Sequence, residues 1–257
     1  YISDRGGQSD IWLATRSDDQ RYWWQNEQFN HKQITDDGEM ETSLAWNSAG
    51  DKISFVRSLG TLRIMKLDGS EMRDLVQSWN RPRYDWSPDG KWIVYSLSDA
   101  EFNRDIFIAP IDGSREPFNL SRHPDNEYFP KWSPDGRMIS FVGRRQGDEV
   151  DIYYVFLTAD QDEVSSRDRK LQSALERLNK SRSKSKPKDD AKKEENGETK
   201  EKAEEKDEKK AGEKEEKVAT KVEIDFSGIY ERIKRVSINN TSESSLLWSP
   251  DSKRLAF

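Results

Sequence analysis

The sequence predicts an all-β chain built from repeats of one four-stranded unit, and three observations carry that expectation. A tryptophan phrase recurs as WNSAGDKISF from Trp46, WSPDGKWIVY from Trp86, WSPDGRMISF from Trp132 and WSPDSKRLAF from Trp248. The spacings are 40, 46 and 116 residues. The first two are periods of a repeat array, and the last is one period widened by an insertion. Apolar residues then alternate after the phrase, as Ile93 and Tyr95, Ile139 and Phe141, Leu255 and Phe257. That is the period of a strand with one face buried.

Within the phrase, proline suits the first central position of a turn, aspartate tolerates the second, and glycine supplies the positive φ that closes a hairpin. A further strand follows: DIWLA (10 to 14), LRIMKLDG (62 to 69), DIFIAPIDG (105 to 113) and DIYYVFLTAD (151 to 160). Asp-Gly pairs turn the chain again. Short polar-edged strands, KQIT (32 to 35), RDLV (73 to 76) and PFNL (117 to 120), stand outermost. Four antiparallel strands per period make a β-propeller blade, so a partial β-propeller of about four blades is predicted. Three blades begin inside the chain, at Trp46, Trp86 and Trp132, with partial blades at either end. Tyr1 aligns with Phe55, Tyr95 and Phe141, and the chain is expected to be a fragment of a longer protein.

The repeated tryptophans are expected to wedge between neighbouring blades as core. Asp10, Asp105 and Asp151, at equivalent strand starts, are expected to bond from blade to blade. Two departures stand out: NSAG after Trp46 lacks the Pro and Asp, and Thr61 replaces the aspartate of the other units.

From Thr158 the rhythm stops. SSRDRKLQSALERLNK places Leu171, Leu175 and Leu178 at helical spacing behind Ser165 or Ser166 as a cap, which predicts one short amphipathic helix. Residues 180 to 221 then hold 15 Lys or Arg and 13 Asp or Glu. So charged a segment buries too little to offset its ordering entropy, and disorder or a solvated helix is predicted. Glu205 with Lys209 and Glu213 with Lys217 have helix-supporting spacing, whereas Pro187, Gly197 and Gly212 interrupt any long rod. The domain reading is blades over 1 to 157, the helix and charged insertion over 158 to 221, and a resumed, incomplete blade over 222 to 257.

Composition narrows the function. A net charge of -6 spread over mixed signs gives little attraction to nucleic acid or anionic membranes. The absence of cysteine removes disulfides, thiolate chemistry and Cys-based zinc sites. No apolar run reaches the roughly 18 to 20 residues of a membrane span. No cofactor or metal motif is present: there is no G-x-S-x-G, no H-E-x-x-H and no glycine-rich phosphate loop. His31 and His123 are the only histidines. Each is read as a surface or turn residue, so no catalytic residue is assigned. One loop departs from the repeat, TRSDDQRYWWQNEQFNH (15 to 31). Its Tyr22, Trp23 and Trp24 are the candidate binding residues, a contact patch for a peptide, another propeller or a neighbouring subunit. The alternative is that they fold back over a blade edge.

Regular form resumes at VEIDFSGIYERIKRVSINNTSESSLLWSPDSKRLAF. The phrase made by Asp225, Phe226, Gly228, Ile229 and Arg232, after a Lys/Glu-rich insertion and before the next WSPD unit, resembles the propeller region of tricorn-type serine peptidases. The resemblance covers essentially the whole chain. The WSPDG phrase by itself is shared with TolB-like propellers and with those of prolyl oligopeptidase and acylaminoacyl peptidase relatives. The tricorn resemblance implies a large peptidase in which propellers precede a PDZ domain and a catalytic domain that cleaves oligopeptides, often as a hexamer. It carries no catalytic residue onto this chain. The segment is therefore expected to be a noncatalytic scaffold and gate for peptide substrates, meeting those peptides, the parent's other domains and further copies. The alternatives are a TolB-like interaction propeller without peptidase activity and the propeller cap of a prolyl oligopeptidase relative. A cytoplasmic location is expected, with a periplasmic or exported one open because the chain starts at Tyr1 without Met.

Overall fold

A computed structural model of the chain describes residues 1–184, 220–236 and 241–257. The described residues form five antiparallel sheets. The first holds β1 (Ile2–Ser3), β2 (Asp10–Arg16) and β3 (Phe29–Gln33). The second holds β4 (Glu41–Trp46), β5 (Lys52–Arg57), β6 (Thr61–Lys66) and β7 (Arg73–Val76). The third holds β8 (Arg83–Trp86), β9 (Trp92–Ser98), β10 (Arg104–Pro110) and β11 (Phe118–Asn119). The fourth holds β12 (Glu127–Trp132), β13 (Met138–Gly143), β14 (Asp151–Phe156) and β15 (Lys234–Val236), and the fifth β16 (Leu247–Trp248) and β17 (Leu255–Ala256). Strands adjacent in sequence are adjacent in each sheet, so every sheet is a meander and the full ones are four-stranded blades.

The second strand of each full blade is covered on both faces. Ile53 to Val56, Ile93 to Ser96 and Ile139 to Val142 are all buried. Both faces of such a strand are therefore core, the arrangement expected where one blade stacks between two others. One continuous cluster joins Val94, Ile106, Ile108 and Leu120 of the third blade to Trp132, Ile139, Phe141 and Val155 of the fourth.

The tryptophan phrase closes its hairpin as expected. In WSPDG, Ser87 Oγ donates to Asp89 Oδ1 at 2.6 Å and accepts from Trp92 N at 2.9 Å. Ser133 with Asp135 and Ser249 with Asp251 repeat the 2.6 Å bond. The divergent NSAG copy reaches the same turn by other atoms: Asn47 Oδ1 accepts from Asp51 N and Lys52 N, both at 3.1 Å. The turns also touch from blade to blade. Ser48 Oγ donates to Pro88 O at 2.5 Å, and Ser252 Oγ accepts from Asp135 N at 2.9 Å.

The tryptophans divide into two classes. Trp86 and Trp132 are buried, whereas Trp46 is 51% exposed. Trp86 Nε1 donates to Ser54 Oγ of the preceding blade at 2.7 Å, and Trp248 Nε1 to Ser140 Oγ at 2.9 Å. The position eight residues after each tryptophan supplies the next blade's acceptor. In the third blade that position is Val94, and Trp132 Nε1 has no hydrogen-bond partner among the described residues.

Among the described residues the recurring aspartates bond within their own blades, not directly from blade to blade. Asp10 accepts from Gln33 Nε2 at 2.9 Å, Asp105 from Asn119 Nδ2 at 2.7 Å, and Asp151 from Arg235 Nε at 2.7 Å. Each bond ties the third strand to the fourth within one blade. The acidic group from the following blade is a glutamate five residues before the tryptophan: Glu41, Glu127 and Glu243, all buried. Thr35 Oγ1 links the first blade to the second, accepting from Ile11 N at 2.8 Å and donating to Glu41 Oε2 at 3.2 Å.

By contact the chain divides into two compact units, Tyr1–Asp162 with Thr220–Phe257, and Glu163–Ala219. After β14 come α1 (Ala159–Glu163) and α2 (Ser166–Lys184). Ser165 caps α2: its Oγ accepts from Asp168 N at 3.1 Å and donates to Asp168 Oδ2 at 2.7 Å. Leu171, Leu175 and Leu178 are about half exposed. Most of the charged segment, with Glu205, Lys209, Glu213 and Lys217, lies outside the described residues. The fourth strand of the fourth blade, β15, comes from beyond the insertion.

Candidate functional site

The first strands of three successive blades, β4, β8 and β12, line one cleft of about 670 Å³. Its walls carry Ser43, Leu44 and Ala45, then Arg81 to Tyr84, then Phe129 to Lys131, with Arg104 from the start of β10. Two walls are shaped by a bulge. The register slips between Thr42 and Ala45 and again between Tyr128 and Lys131. Ser43 (φ 55) and Phe129 (φ 54) sit there in the left-handed region, and Ser245 (φ 57) occupies the equivalent place before Trp248. A bulge of this kind re-aims side chains at the edge of a sheet. Tyr84 spans two walls by donating its hydroxyl to Ser43 O.

The third blade breaks both rules. Five residues before Trp86 stands Arg81 instead of the buried glutamate, and three before it stands Arg83 instead of a left-handed bulge residue. Thr61 and Gln77 occupy the places of Asp105 and Ser121 at the same junction. The guanidinium of Arg83 lies 4.5 Å from the Phe129 ring centre, and that of Arg104 lies 5.4 Å from Tyr128. Arg104 Nε donates to Ser98 Oγ at 3.1 Å. Its pKa is lowered by burial, with Arg83 adding to the effect. Lys131 is matched differently: its Nζ meets Asp85 Oδ1 at 3.1 Å, and Asp85 Oδ2 accepts from Trp132 N at 2.9 Å. Burial raises the Asp85 pKa and Lys131 opposes that rise.

The candidate rim residues are only partly brought together. Tyr22 and Trp24 stack on each other with centroids 4.7 Å apart and rings 1° from parallel. Both are largely exposed, at 64% and 77%. Trp23 turns the other way, its ring 4.5 Å from Phe29 of β3, and lines an apolar pocket of about 240 Å³ with Tyr1, Ile34, Leu44 and Trp46. Neither histidine lines the cleft. His31 lies in β3, not in a loop, and its Nδ1 bonds Tyr1 Oη at 2.9 Å. His123 lies in the connector between the third and fourth blades, where its N donates to Asp105 Oδ1 at 3.2 Å and its Nδ1 accepts from Asp125 N at 3.3 Å. Ser121 beside it is fully committed, accepting from Ile106 N at 2.9 Å and donating to Asp105 Oδ1 at 2.8 Å.

The phrase that carries the tricorn resemblance forms a clasp. Arg232 donates to four carbonyls: Phe156 O and Leu157 O at 3.3 Å, Ser227 O at 2.9 Å and Asp225 O at 2.6 Å. Ile229 is fully buried. Phe226 packs against Trp92 and Phe118 of the third blade, with Arg115 stacked 3.7 Å from its ring centre. The clasp fastens the chain returning from the insertion onto two blades, so these residues have structural roles.

The sequence reading missed the cleft arginines. A signal was available, because arginine at the place of a glutamate repeated at a fixed distance from the tryptophan marks a unit that differs from its neighbours.

No protein-family model matches the chain. A stretch of 66 residues is 38% identical to dipeptidyl-peptidase 5 of Porphyromonas gingivalis, covering 24% of this chain and 10% of that protein. A stretch of 73 residues is 26% identical to the tricorn protease homolog of Saccharolobus solfataricus, covering 28% of this chain and 7% of that protein. Among solved structures, TolB from Acinetobacter baumannii superimposes with a TM-score of 0.45 at 18% identity, over 61% of this chain and 37% of that one. The matched stretches span a tenth or less of the length of the curated relatives. Among the described residues no helix is long and apolar enough to cross a membrane. Through its propeller blades the chain is similar to tricorn-type and TolB-like proteins.

Proposed function

We propose that this chain is a noncatalytic propeller segment of a tricorn-like serine peptidase, serving as scaffold and gate for peptide substrates. The observation that carries the reading is the cleft formed where the first strands of three blades converge, open enough for an extended peptide and walled by rigid sheets. The short matches to two peptidases support the context. The 38% match to dipeptidyl-peptidase 5 favours, as a second reading, the propeller cap of a peptidase of that kind. Both readings give the segment the same task, admitting peptides by size while the chemistry lies elsewhere. Tyr22, Trp23 and Trp24 serve in this reading as a contact surface for a neighbouring domain, their exposed rings giving large area at small entropic cost.

The test is photo-cross-linking of a mixed pool of short extended peptides to the 257-residue chain, followed by mass spectrometry. Intact peptides joined to residues of β4, β8 and β12 are expected. Hydrolysis of the peptides, or cross-links confined to the outer strands, contradicts the proposal.

A further inference from the structure

We propose that the cleft between β4, β8 and β12 is an anion-selective site that receives the carboxylates of an acidic peptide. The inference rests on the peptide-gate reading and adds to it the class of peptide admitted. The chain as a whole is acidic, with a net charge of -6, yet this cleft gathers Arg81, Arg83, Arg104 and Lys131 and no carboxylate lines it; Lys131 pairs with Asp85, outside the lining. Asp85 is already engaged by Lys131 and by Trp132 N. Among the described residues no carboxylate lies within ion-pair distance of Arg81, Arg83 or Arg104.

Three converging guanidinium groups repel one another, and a fold gains nothing from leaving them unmatched. The aromatic contacts of Arg83 and Arg104 do not satisfy them. Stacking occupies a guanidinium face, while the N–H donors point outward from its edge, where they fit a carboxylate two at a time. The repeat itself points to a dedicated role. In three other units the positions of Arg81 and Arg83 hold a buried glutamate and a bulge residue with structural work, and the exchange to arginine occurs together at the one blade whose first strand lies between the other two walls. Low-dielectric walls of Leu44, Pro82 and Phe129 focus the resulting positive field into the cleft. An acidic peptide fits better than nucleic acid, because the cleft is bounded and the chain's net charge of -6 opposes a long polyanion.

The test is fluorescence anisotropy of the 257-residue chain with a labelled peptide of four glutamates, against the same peptide with four glutamines. The glutamate peptide is expected to bind about tenfold more tightly at low ionic strength, with the advantage fading as salt is added. Arg81→Gln and Arg83→Gln, both at exposed side chains, are expected to remove most of that advantage while leaving the glutamine peptide unaffected, and Lys91→Gln outside the cleft is expected to change neither. Thermal melts of each variant confirm that the fold persists. Equal binding of both peptides overturns the anion site but leaves the gate reading standing. Failure to bind any peptide overturns both. Tighter binding of an oligothymidine of equal charge, or of inorganic phosphate at the same concentration, overturns the assignment to acidic peptides.

Discussion

The indole Nε1 of Trp86 donates to Oγ of Ser54 at 2.7 Å, so a residue opening the turn of one blade is tied to the second strand of the blade before it. Trp248 and Ser140 repeat the bond across 108 residues of sequence, insertion included. The tryptophan phrase therefore does two things with one side chain: it fills the space between blades and fixes their register.

Breaking that bond from either side leaves a buried polar atom unpaired. Trp86→Phe and Ser54→Ala are each expected to cost about 1–3 kcal/mol, and the double variant less than their sum by about 1 kcal/mol, as a double-mutant cycle by urea unfolding would show.

The third blade offers the converse test. Val94 stands where the other blades carry serine, and Trp132 Nε1 is buried without a partner. Val94→Thr keeps the volume and brings a hydroxyl to the indole, so it is expected to be neutral or stabilising by up to about 1 kcal/mol. The same exchange at buried Val142, whose core cluster contains no tryptophan, is expected to cost about 1–3 kcal/mol. Equal losses at both sites would refute the pairing rule.

Gly136 closes the WSPDG turn of the fourth blade at φ +70, and a Cβ there would lie 2.8 Å from Val222 Cγ2. Gly147 has a similar φ of +71 with open space around it. Gly147→Ala thus carries only the backbone strain, about 1 kcal/mol, whereas Gly136→Ala adds a steric clash and is expected to lose about 2–3 kcal/mol by thermal unfolding.

Much of this was legible in the sequence, for a physical reason. Turn chemistry and strand alternation are local, so SPDG and the apolar pairs such as Ile93 with Tyr95 locate hairpins without knowledge of the partner strand. The NSAG copy shows the limit, because Asn47 and Asp51 rebuild the turn with side chains the phrase does not share. Contacts between blades were harder. Asp105 looked like a bridge between blades yet bonds Asn119 in its own, and the cleft arginines acquire meaning only when three first strands meet. For Tyr22, Trp23 and Trp24 the sequence left a contact patch and a fold back over a blade edge both open, and gave no sign that Trp23 would part from the other two.

Acidity bears on the blade junctions. Burial, reinforced by Asp105 and Asp125 and opposed by Arg145, pushes the Glu127 carboxyl up to about 8. Burial, with Asp37 and Asp10 adding and Thr35 and Arg57 opposing, pushes Glu41 up to about 7. A raised value means that the folded chain holds these protons after the unfolded chain has released them. Stability from these groups is thus fully present below about pH 4.5 and declines as pH rises toward 8. Glu127→Gln, which keeps the shape without the charge, is expected to flatten that decline and to exceed the parent in stability at pH 9 by about 1–3 kcal/mol. A parallel pH profile for the two proteins would show that Glu127 is ionised in the fold.

The most direct test of the whole arrangement is a set of nuclear Overhauser contacts from the tryptophan indole protons. The repeated-blade account expects the Trp86 Nε1 proton to show contacts with the Ser54 methylene and the Trp248 Nε1 proton with that of Ser140, each in the preceding sheet. Indole contacts confined to residues of the same hairpin, or two tryptophans meeting unrelated surroundings, would contradict it.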